Sequence, residues 1–318
     1  TPISVRQKYS NSLPSASLVL SPIDKVQVRL GYAQILRRPS FAQLSPTFEF
    51  PLNTGQSVII GEPSLQPTQA DQYDFAIEYY FRKGSVVSLG LFHKELDGAV
   101  GRAPDGQICS PVAVSDNPLN CSTSDDGGAF NGTNVPRTIF TNLPGGKIQG
   151  AEFAFQHKFN WLPRPFNGLG VIASYAYQDG ERDFTFNVPN FLVNAEGVSA
   201  DAVFPLKFSR LSEDSYNFTL YFERPNSRLS GRLRYTYRDG FLVSESIDVA
   251  NNLPLYRDDR FQLNASMSYR LTDVFTLRFS GVNLTKEQST ERAAFSTGPI
   301  VRQKDADRRL SIGISGRF

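Results

Sequence analysis

The sequence contains very little of the two residue types that most often bind metals or carry thiol and proton chemistry. Its 318 residues include two cysteines, Cys109 and Cys121, and two histidines, His93 and His157. Two sulfurs alone make a poor zinc site, because structural zinc takes four ligands. A hydrolase would need a histidine beside a serine or an aspartate, and no G-x-S-x-G elbow or glycine-rich phosphate motif is present. We therefore expect no metal site, no cofactor and no enzymatic activity.

Charge imbalance and long apolar runs are also lacking. Lys and Arg number 33 against 31 Asp and Glu, a net charge of +2, which gives no electrostatic reason to expect nucleic acid as a partner. No run approaches the roughly 20 apolar residues of a transmembrane helix. A helical membrane protein is thereby excluded. A membrane barrel is not, because barrel strands alternate apolar with polar residues.

The amino terminus lacks the features of a signal peptide. Residues 1–4 have neither a basic start nor an apolar run. We expect that a signal was cleaved or that the chain is a piece of something longer.

Aromatic residues are abundant, with 25 Phe and 13 Tyr. Aromatic girdles at the two interfaces of a membrane would produce this bias, and so would an aromatic-rich sandwich. The bias alone does not choose between them.

The last twelve residues show the pattern that recurs along the chain. One set of alternating positions is apolar: Leu310, Ile312, Ile314 and Phe318. The other set is polar: Arg309, Ser311, Ser315 and Arg317. Alternation of this kind predicts a strand with one apolar and one polar face. Two arginines on the polar face suit a wet lumen better than a packed core.

About eleven such strands follow one another, and their connections alternate between short turns and long loops. The long loops are predicted at about 36–68, 97–146, 179–212, 239–257 and 286–304. Strands of about ten residues fit the ~9–11 needed to cross a bilayer. A soluble sandwich or propeller should have short loops at both ends. The pattern therefore predicts an all-β, antiparallel transmembrane barrel with short periplasmic turns and long outer loops.

Eleven is an awkward number, because bacterial single-chain barrels close with an even number of strands. Counting back from a periplasmic C-terminus also puts Thr1 outside the cell. We therefore expect residues 1–318 to be the C-terminal part of a barrel domain.

Several short segments stand out by their order and spacing: Leu13-Pro14-Ser15, Arg37-Arg38-Pro39-Ser40-Phe41, Gly61-Glu62-Pro63-Ser64-Leu65-Gln66-Pro67, Tyr73-Asp74, Glu78-Tyr79-Tyr80, Gly150-Ala151-Glu152-Phe153 and Val282-Asn283-Leu284-Thr285. Together they resemble TonB-dependent outer-membrane receptors, and most closely their Caulobacter-type subgroup. The resemblance implies a 22-stranded barrel filled by an N-terminal plug, of which eleven strands are one half. The family's plug and its energy-coupling segment have no counterpart in this sequence.

The resemblance also implies a location and a set of partners. The location is the outer membrane of a Gram-negative bacterium. The partners are outer-membrane lipid and lipopolysaccharide, the inner-membrane TonB protein acting through the missing N-terminal part, the N-terminal barrel half with its plug, and a small solute. An oligosaccharide is the first expectation for the solute, and a ferric siderophore or other metal chelate is the alternative. A different class of role is a structural half-barrel completed by another chain.

The two histidines and the two cysteines have structural interpretations. His93 and His157 fall in the outward register near opposite rims, which predicts interfacial packing. Cys109 and Cys121 lie in the longest outer loop, where an oxidising compartment favours a disulfide that stiffens the loop. Oxygen-rich residues around 116–134 do not match the EF-hand spacing, so a solvated loop is favoured over a calcium site.

Eight arginines occupy the polar register of the strands: Arg29, Arg232, Arg234, Arg238, Arg270, Arg278, Arg309 and Arg317. For most of them we favour pairing with Asp74, Glu78, Glu152 and Glu223 or with plug carboxylates. The alternative is a path for an anionic solute, and Arg238, nearest the outer mouth, is the best candidate for contact with it.

Aromatic and polar residues of the outer loops are candidates for binding the solute, because stacking faces beside hydrogen-bonding groups suit sugars and siderophores. They are Arg38, Phe41, Arg182, Asp183, Phe184, Phe186, Arg238, Asp239 and Phe241. Loops that fold back over a plug would explain the same composition without a ligand.

Overall fold

The structure is a computed structural model. It describes residues 5–47, 58–110, 121–122, 131–185, 203–224, 226–244, 254–293 and 295–317. These residues form one short helix and twenty strands. In chain order they are β1 (Ser15–Leu20), β2 (Val26–Arg37), α1 (Phe41–Leu44), β3 (Val58–Ile60), β4 (Thr68–Arg82), β5 (Ser85–Asp97), β6 (Ala99–Ser110), β7 (Cys121–Ser122), β8 (Asn131–Leu143), β9 (Gly146–Lys158), β10 (Leu169–Thr185), β11 (Val203–Lys207), β12 (Asp214–Phe222), β13 (Leu229–Arg238), β14 (Phe241–Ser244), β15 (Leu255–Arg257), β16 (Arg260–Arg270), β17 (Phe275–Val282), β18 (Ser289–Ala293), β19 (Ile300–Lys304) and β20 (Arg309–Gly316).

The main sheet is an antiparallel meander of eleven strands. Its order is β1-β2-β4-β5-β9-β10-β12-β13-β16-β17-β20, and β11 pairs with the outer end of β10. The predicted all-β barrel fold and its eleven strands are confirmed. Among the described strands β1 and β20 each have a partner on one side, so the sheet is an open arc of a barrel.

Short turns join alternate strands at one end of the sheet. Lys83 and Gly84 connect β4 to β5, and Gly84 has φ +75°. Glycine adopts this left-handed conformation without a steric penalty, which is what a tight turn requires here. The long connections all lie at the opposite end, which by the rule of short periplasmic turns is the outer one.

The register brings the apolar side chains of all eleven strands onto one face. Leu30 lies opposite Phe75, Phe75 opposite Leu91, and Leu91 opposite Ala151, and at the other edge of the sheet Leu277 lies opposite Ile314. Ile312 and Ile314 on β20 remain 69% and 65% exposed. A continuous apolar face with such exposure is the lipid-facing surface of a membrane barrel, and the polar face lines the lumen. No helix among the described residues is long and apolar enough to cross a membrane.

Aromatic side chains form two girdles on the apolar face. The outer girdle includes Tyr32 and Tyr73, whose ring centroids are 5.2 Å apart, and His93 lies 6.4 Å from Tyr73. The inner girdle includes Phe81 and His157 at 5.3 Å. The histidines thus occupy opposite rims, where the pattern predicted them.

The inner-girdle histidine is also hydrogen-bonded. His157 is 8% exposed, and its Nδ1 lies 2.8 Å from the Ser85 hydroxyl at the start of the neighbouring strand.

The long loops are more ordered than the sequence predicted. The 97–146 segment was predicted to be irregular, but β6 and β8 form an antiparallel hairpin there, and β3 pairs with β8 in parallel. The last two long loops contain a four-stranded sheet, β14-β15-β18-β19. Buried apolar residues such as Val58 and Val135 lie in these loop sheets, because both faces of the main sheet are solvated by lipid or water.

Candidate functional site at the outer mouth

A cluster of cationic and aromatic side chains lies where β13 ends at the outer mouth. Arg238 is the last residue of β13, and Phe241 begins β14 after a two-residue link. The Arg238 guanidinium carbon lies 4.4 Å from the centre of the Phe241 ring, and that of Arg257 lies 5.5 Å from it. Two cations against one ring are held by attraction to its π face. We call Arg238, Phe241 and Arg257 the mouth cluster.

Arg238 connects the mouth cluster to the loop that precedes β12. Its Nε donates to the Ser212 hydroxyl at 2.7 Å, and its Nη2 donates to the carbonyl of Arg210 at 2.8 Å. Ser212 is 1% exposed, whereas Arg238 remains exposed. Arg238 therefore keeps a solvent-facing part while two hydrogen bonds fix its orientation.

Arg257 is held from the other side by Glu291. This carboxylate is 4% exposed and accepts hydrogen bonds from Arg257 on β15 and from Arg302 on β19, the latter at 3.0 Å. The hydrogen bond from Arg257 holds the pKa of Glu291 below its ordinary value. A carboxylate shared by two guanidiniums on different strands ties three strands of the loop sheet together.

A second ion pair reinforces the same sheet. Arg292 donates from Nε to both carboxylate oxygens of Asp258, at 2.8 and 3.0 Å. Beside the mouth cluster, Asp239 accepts from the backbone N–H of Gly240 at 3.0 Å and from the Tyr237 hydroxyl.

Chemically, the mouth cluster can bind an anion that carries a flat apolar face. Two guanidiniums supply charge and directed N–H donors, and the Phe241 ring supplies a stacking surface. Arg238, Asp239 and Phe241, all predicted from the sequence, come together here.

The other predicted residues are distributed around the outer loops. Arg182 is 7% exposed on β10, with its guanidinium 5.6 Å from the Phe208 ring. Asp183 and Phe184 lie on β10 opposite β11, where the structure describes their backbone, and Phe186 lies outside the described residues.

Arg38 and Phe41 belong to a different outer loop. Arg38 lies over the Tyr9 ring at 5.9 Å, and Phe41, the first residue of α1, is 92% exposed. Within the described residues, no hydrogen bond, ion pair or ring contact joins either of them to the mouth cluster.

The sequence did not predict Arg257, Glu291, Arg302 or Ser212 as members of the site. Arg257, Glu291 and Arg302 lie on short strands within segments predicted to be loops, and Ser212 lies in the loop before β12, so no alternating pattern assigned them a face. Two short stretches, Leu255–Arg257 and Ser289–Ala293, place charged residues beside apolar ones. This was the sequence feature that could have indicated the short strands.

The structure describes the backbone of Cys109 and Cys121 but not their side chains, so their disulfide stays a prediction. The backbone register gives the position of each cysteine relative to β8. Cys109 is opposite Asn134 and Cys121 is opposite Gly132 on the same strand, β8. The calcium alternative concerns residues that are mostly outside the described part of the chain.

The predicted pairing of lumen arginines is found at one position. Arg29 Nε lies 3.6 Å from Glu78. Among the described residues, Arg232, Arg270, Arg278 and Arg309 have no carboxylate within 4.0 Å. The pairing preferred from the sequence is therefore not seen for these four.

Eleven antiparallel strands, a lipid-facing apolar face with two aromatic girdles, and a polar lumen define an outer-membrane β-barrel protein. The chain matches the family described as "TonB dependent receptor-like, beta-barrel" over residues 3–284. It belongs to this family of TonB-dependent receptor barrels, which are outer-membrane proteins of Gram-negative bacteria. The comparison with curated protein sequences found no match.

Solved structures with a similar fold include siderophore receptors. A mutant of the ferric enterobactin receptor PfeA from Pseudomonas aeruginosa, in complex with enterobactin, has a TM-score of 0.62 and 16% identity over 96% of this chain and 40% of its own. The siderophore receptor PirA from Acinetobacter baumannii has a TM-score of 0.62 and 14% identity over 97% of this chain and 41% of its own. The ferric-catecholate import receptor Fiu from E. coli has a TM-score of 0.55 and 12% identity over 96% of this chain and 34% of its own.

At identities of 12–16%, the similarity to these structures shows a shared fold and nothing more. This chain spans about two fifths of the length of the PfeA and PirA chains.

Proposed function

We propose that this chain is part of a TonB-dependent outer-membrane transporter that binds an anionic ferric siderophore at its outer mouth. The observation that carries the proposal is the mouth cluster, in which Arg238 and Arg257 flank Phe241. Iron-chelating groups such as catecholates combine negative charge with flat aromatic rings. The two arginines match the charge and Phe241 matches the ring.

An anionic siderophore fits the mouth cluster better than the oligosaccharide that was the first expectation from the sequence. Aromatic faces suit either ligand, but a pair of guanidiniums adds little for a neutral sugar and much for an anion. The similar solved structures named as siderophore receptors support the same order.

The C-terminal half-barrel and its partners are also part of the proposal. Eleven strands are half of the 22 found in plugged transporters of this size class, and the chain covers 40% of PfeA. The remaining strands and the plug are proposed to complete the barrel, and TonB to energise it through that other part. A structural half-barrel completed by a separate chain, and membership of the Caulobacter-type subgroup, remain predictions.

Binding of ferric tris-catecholate to the purified full-length receptor tests the siderophore proposal. Phe241→Ala and Arg257→Gln should each weaken affinity about tenfold, since loss of a stacking or charged contact is worth ~1–3 kcal/mol. Isothermal titration calorimetry measures the change.

Phe166→Ala is the matched control, because Phe166 is a 55% exposed aromatic in a turn at the opposite end of the sheet. Its affinity should equal that of the unmodified receptor. A receptor that binds maltooligosaccharide and no ferric chelate would restore the carbohydrate expectation.

A further inference from the structure

The four strands from β13 to β20 in the main sheet carry charge of one sign. Within β13, β16, β17 and β20 there is no aspartate and no glutamate. All of their arginines fall in the polar register that faces the lumen. We call six of them the arginine wall: Arg232, Arg234, Arg260, Arg270, Arg278 and Arg309.

The arginine wall extends over the height of the barrel. Arg260 is directly opposite Arg238 at the outer end, so the wall continues the mouth cluster. Arg270 lies at the opposite end of β16, opposite Thr276 near the short turn. Arg232 on β13 and Arg278 on β17 lie between these ends on the same face, one on each side of β16.

The side chains of the arginine wall are exposed, and among the described residues none of the six has a carboxylate within 4.0 Å, although Glu287 is near enough to Arg260 to attract it. All six are exposed. The contact recorded for Arg234 is a donation from Nη2 to the neutral side chain of Asn217 at 3.3 Å. Like charges set side by side across a sheet repel one another, as Arg238 and Arg260 do at directly opposite positions. Such an arrangement is favourable when an anion occupies the space in front of it.

Small hydroxyl side chains stand between the arginines on the same face. Ser266 is opposite both Arg232 and Ser280, and Ser268 is opposite Arg278. These residues leave room in front of the wall and add O–H donors suited to anionic oxygens. The lumen face of β4 differs, because Asp74 and Glu78 stand there.

We propose that the arginine wall is a second binding surface for the anionic solute, along which it passes from the mouth cluster toward the periplasm. The inference rests on the proposed function and extends it from capture at the mouth to the route through the lumen. Positive charge is continuous from Arg238 and Arg260 to Arg270. This continuity favours a mobile anion as the partner of the arginine wall, because carboxylates of a folded domain would need fixed positions along the whole height of the barrel.

The test uses the full-length receptor in cells that lack other ferric-chelate receptors. The probe is radioiron-labelled ferric tris-catecholate, an anionic complex. Surface binding is measured on de-energised cells and uptake on energised cells. For the double variant Arg232→Gln with Arg278→Gln, we expect surface affinity to stay within about twofold and uptake to fall about tenfold. The uptake that remains should depend less on salt.

Two further variants separate charge from structure. Arg29→Gln removes a lumen arginine on the opposite wall that is already paired with Glu78, and its uptake should be unchanged. Arg232→Lys with Arg278→Lys keeps the charge and should restore most of the uptake.

Three outcomes would overturn the inference. Normal uptake in the double glutamine variant removes the wall from the route, while intact surface binding leaves the proposed function standing. If uptake falls and a bulky antibiotic enters the cells at the same time, the substitutions have opened the lumen. The arginine wall would then hold the carboxylates of a protein domain in place. Absence of any chelate binding in the unmodified receptor overturns the proposed function, and the inference with it.

Discussion

At the residue scale, Glu291 is the side chain on which the geometry of the mouth depends most. It is 4% exposed, accepts hydrogen bonds from both Arg257 and Arg302, and offsets one of their two positive charges. Arg257 in turn contacts Phe241, which also contacts Arg238. Loss of one carboxylate therefore frees two cations and changes the position of an aromatic ring that Glu291 itself does not touch.

Glu291→Gln should loosen the loop sheet by about 2 kcal/mol, since hydrogen bonds to charged groups contribute ~1.5–3 kcal/mol. Hydrogen exchange measured by mass spectrometry should rise in β14, β15, β18 and β19. Asp258→Asn is the matched control, because it removes the carboxylate of the neighbouring pair with Arg292. Exchange in β14 should rise less in Asp258→Asn than in Glu291→Gln, and equal effects would contradict the role assigned to Glu291.

The same carboxylate predicts a pH dependence with a definite sign. The pKa of Glu291 is lowered from 4.5 by the hydrogen bond from Arg257. Its contribution to stability is therefore complete above the unfolded-state pKa and is lost as the pH falls through the lower folded-state value. Exchange in β18 should be constant from neutral pH down to about 5 and should rise only in more acidic solution, after correction for the intrinsic exchange rate. In Glu291→Gln this acid-induced rise should be absent.

At the scale of elements, alternation in the sequence predicted the strands of the main sheet but not those of the loops. A strand of ten residues repeats its pattern often enough to be recognised, as in β13 and β16. The three residues of β3 or β15 do not. Their pairing is decided by contacts with distant segments, such as Val58 opposite Arg137 on β8. Such contacts cannot be predicted from the local sequence.

The same limit explains which part of the site could be predicted. Arg238 and Phe241 adjoin a recognisable strand, so their place at the mouth followed from counting residues. Arg257 reaches Phe241 because the two residues are directly opposite on β14 and β15, and Glu291 reaches Arg257 because β15 pairs with β18 across a separation of more than thirty residues.

The β6–β7–β8 region gives a prediction at this scale. Cys109 and Cys121 are in register with residues of β8 that are two positions apart, and an oxidising compartment favours a disulfide between them. We expect the purified full-length receptor to show no reaction at either thiol with iodoacetamide until a reductant is added. Peptide mass spectrometry gives the result, and alkylation without reductant would contradict the disulfide.

At the scale of the whole molecule, the alternation of apolar and polar residues along each strand suits the two environments of the sheet, lipid on one face and water on the other. Each strand turns its apolar residues to lipid and its polar residues to the lumen, so the described sheet needs no core between two layers. This explains why exposed Leu, Ile and aromatic residues are common on the outer face. It also explains how the lumen can carry a wall of arginines without destabilising packing, since those side chains are never buried against apolar neighbours.

The two faces should respond oppositely to the same substitution. Leu89 on β5 lies in the apolar row between Ile77 and Phe153, whereas the adjacent Ser88 faces the lumen opposite Glu78. Leu89→Arg should destabilise the full-length barrel by ~2–4 kcal/mol, the penalty of an arginine on the lipid face at mid-depth. Ser88→Arg should be close to neutral, because the lumen is wet and the Glu78 carboxylate opposite it, although paired with Arg29, can accept from a second guanidinium. Unfolding in urea from phospholipid vesicles, followed by the mobility of unheated samples on gels, compares the two. Equal destabilisation, or a larger effect at Ser88, would mean that the lipid and lumen faces have been assigned the wrong way round.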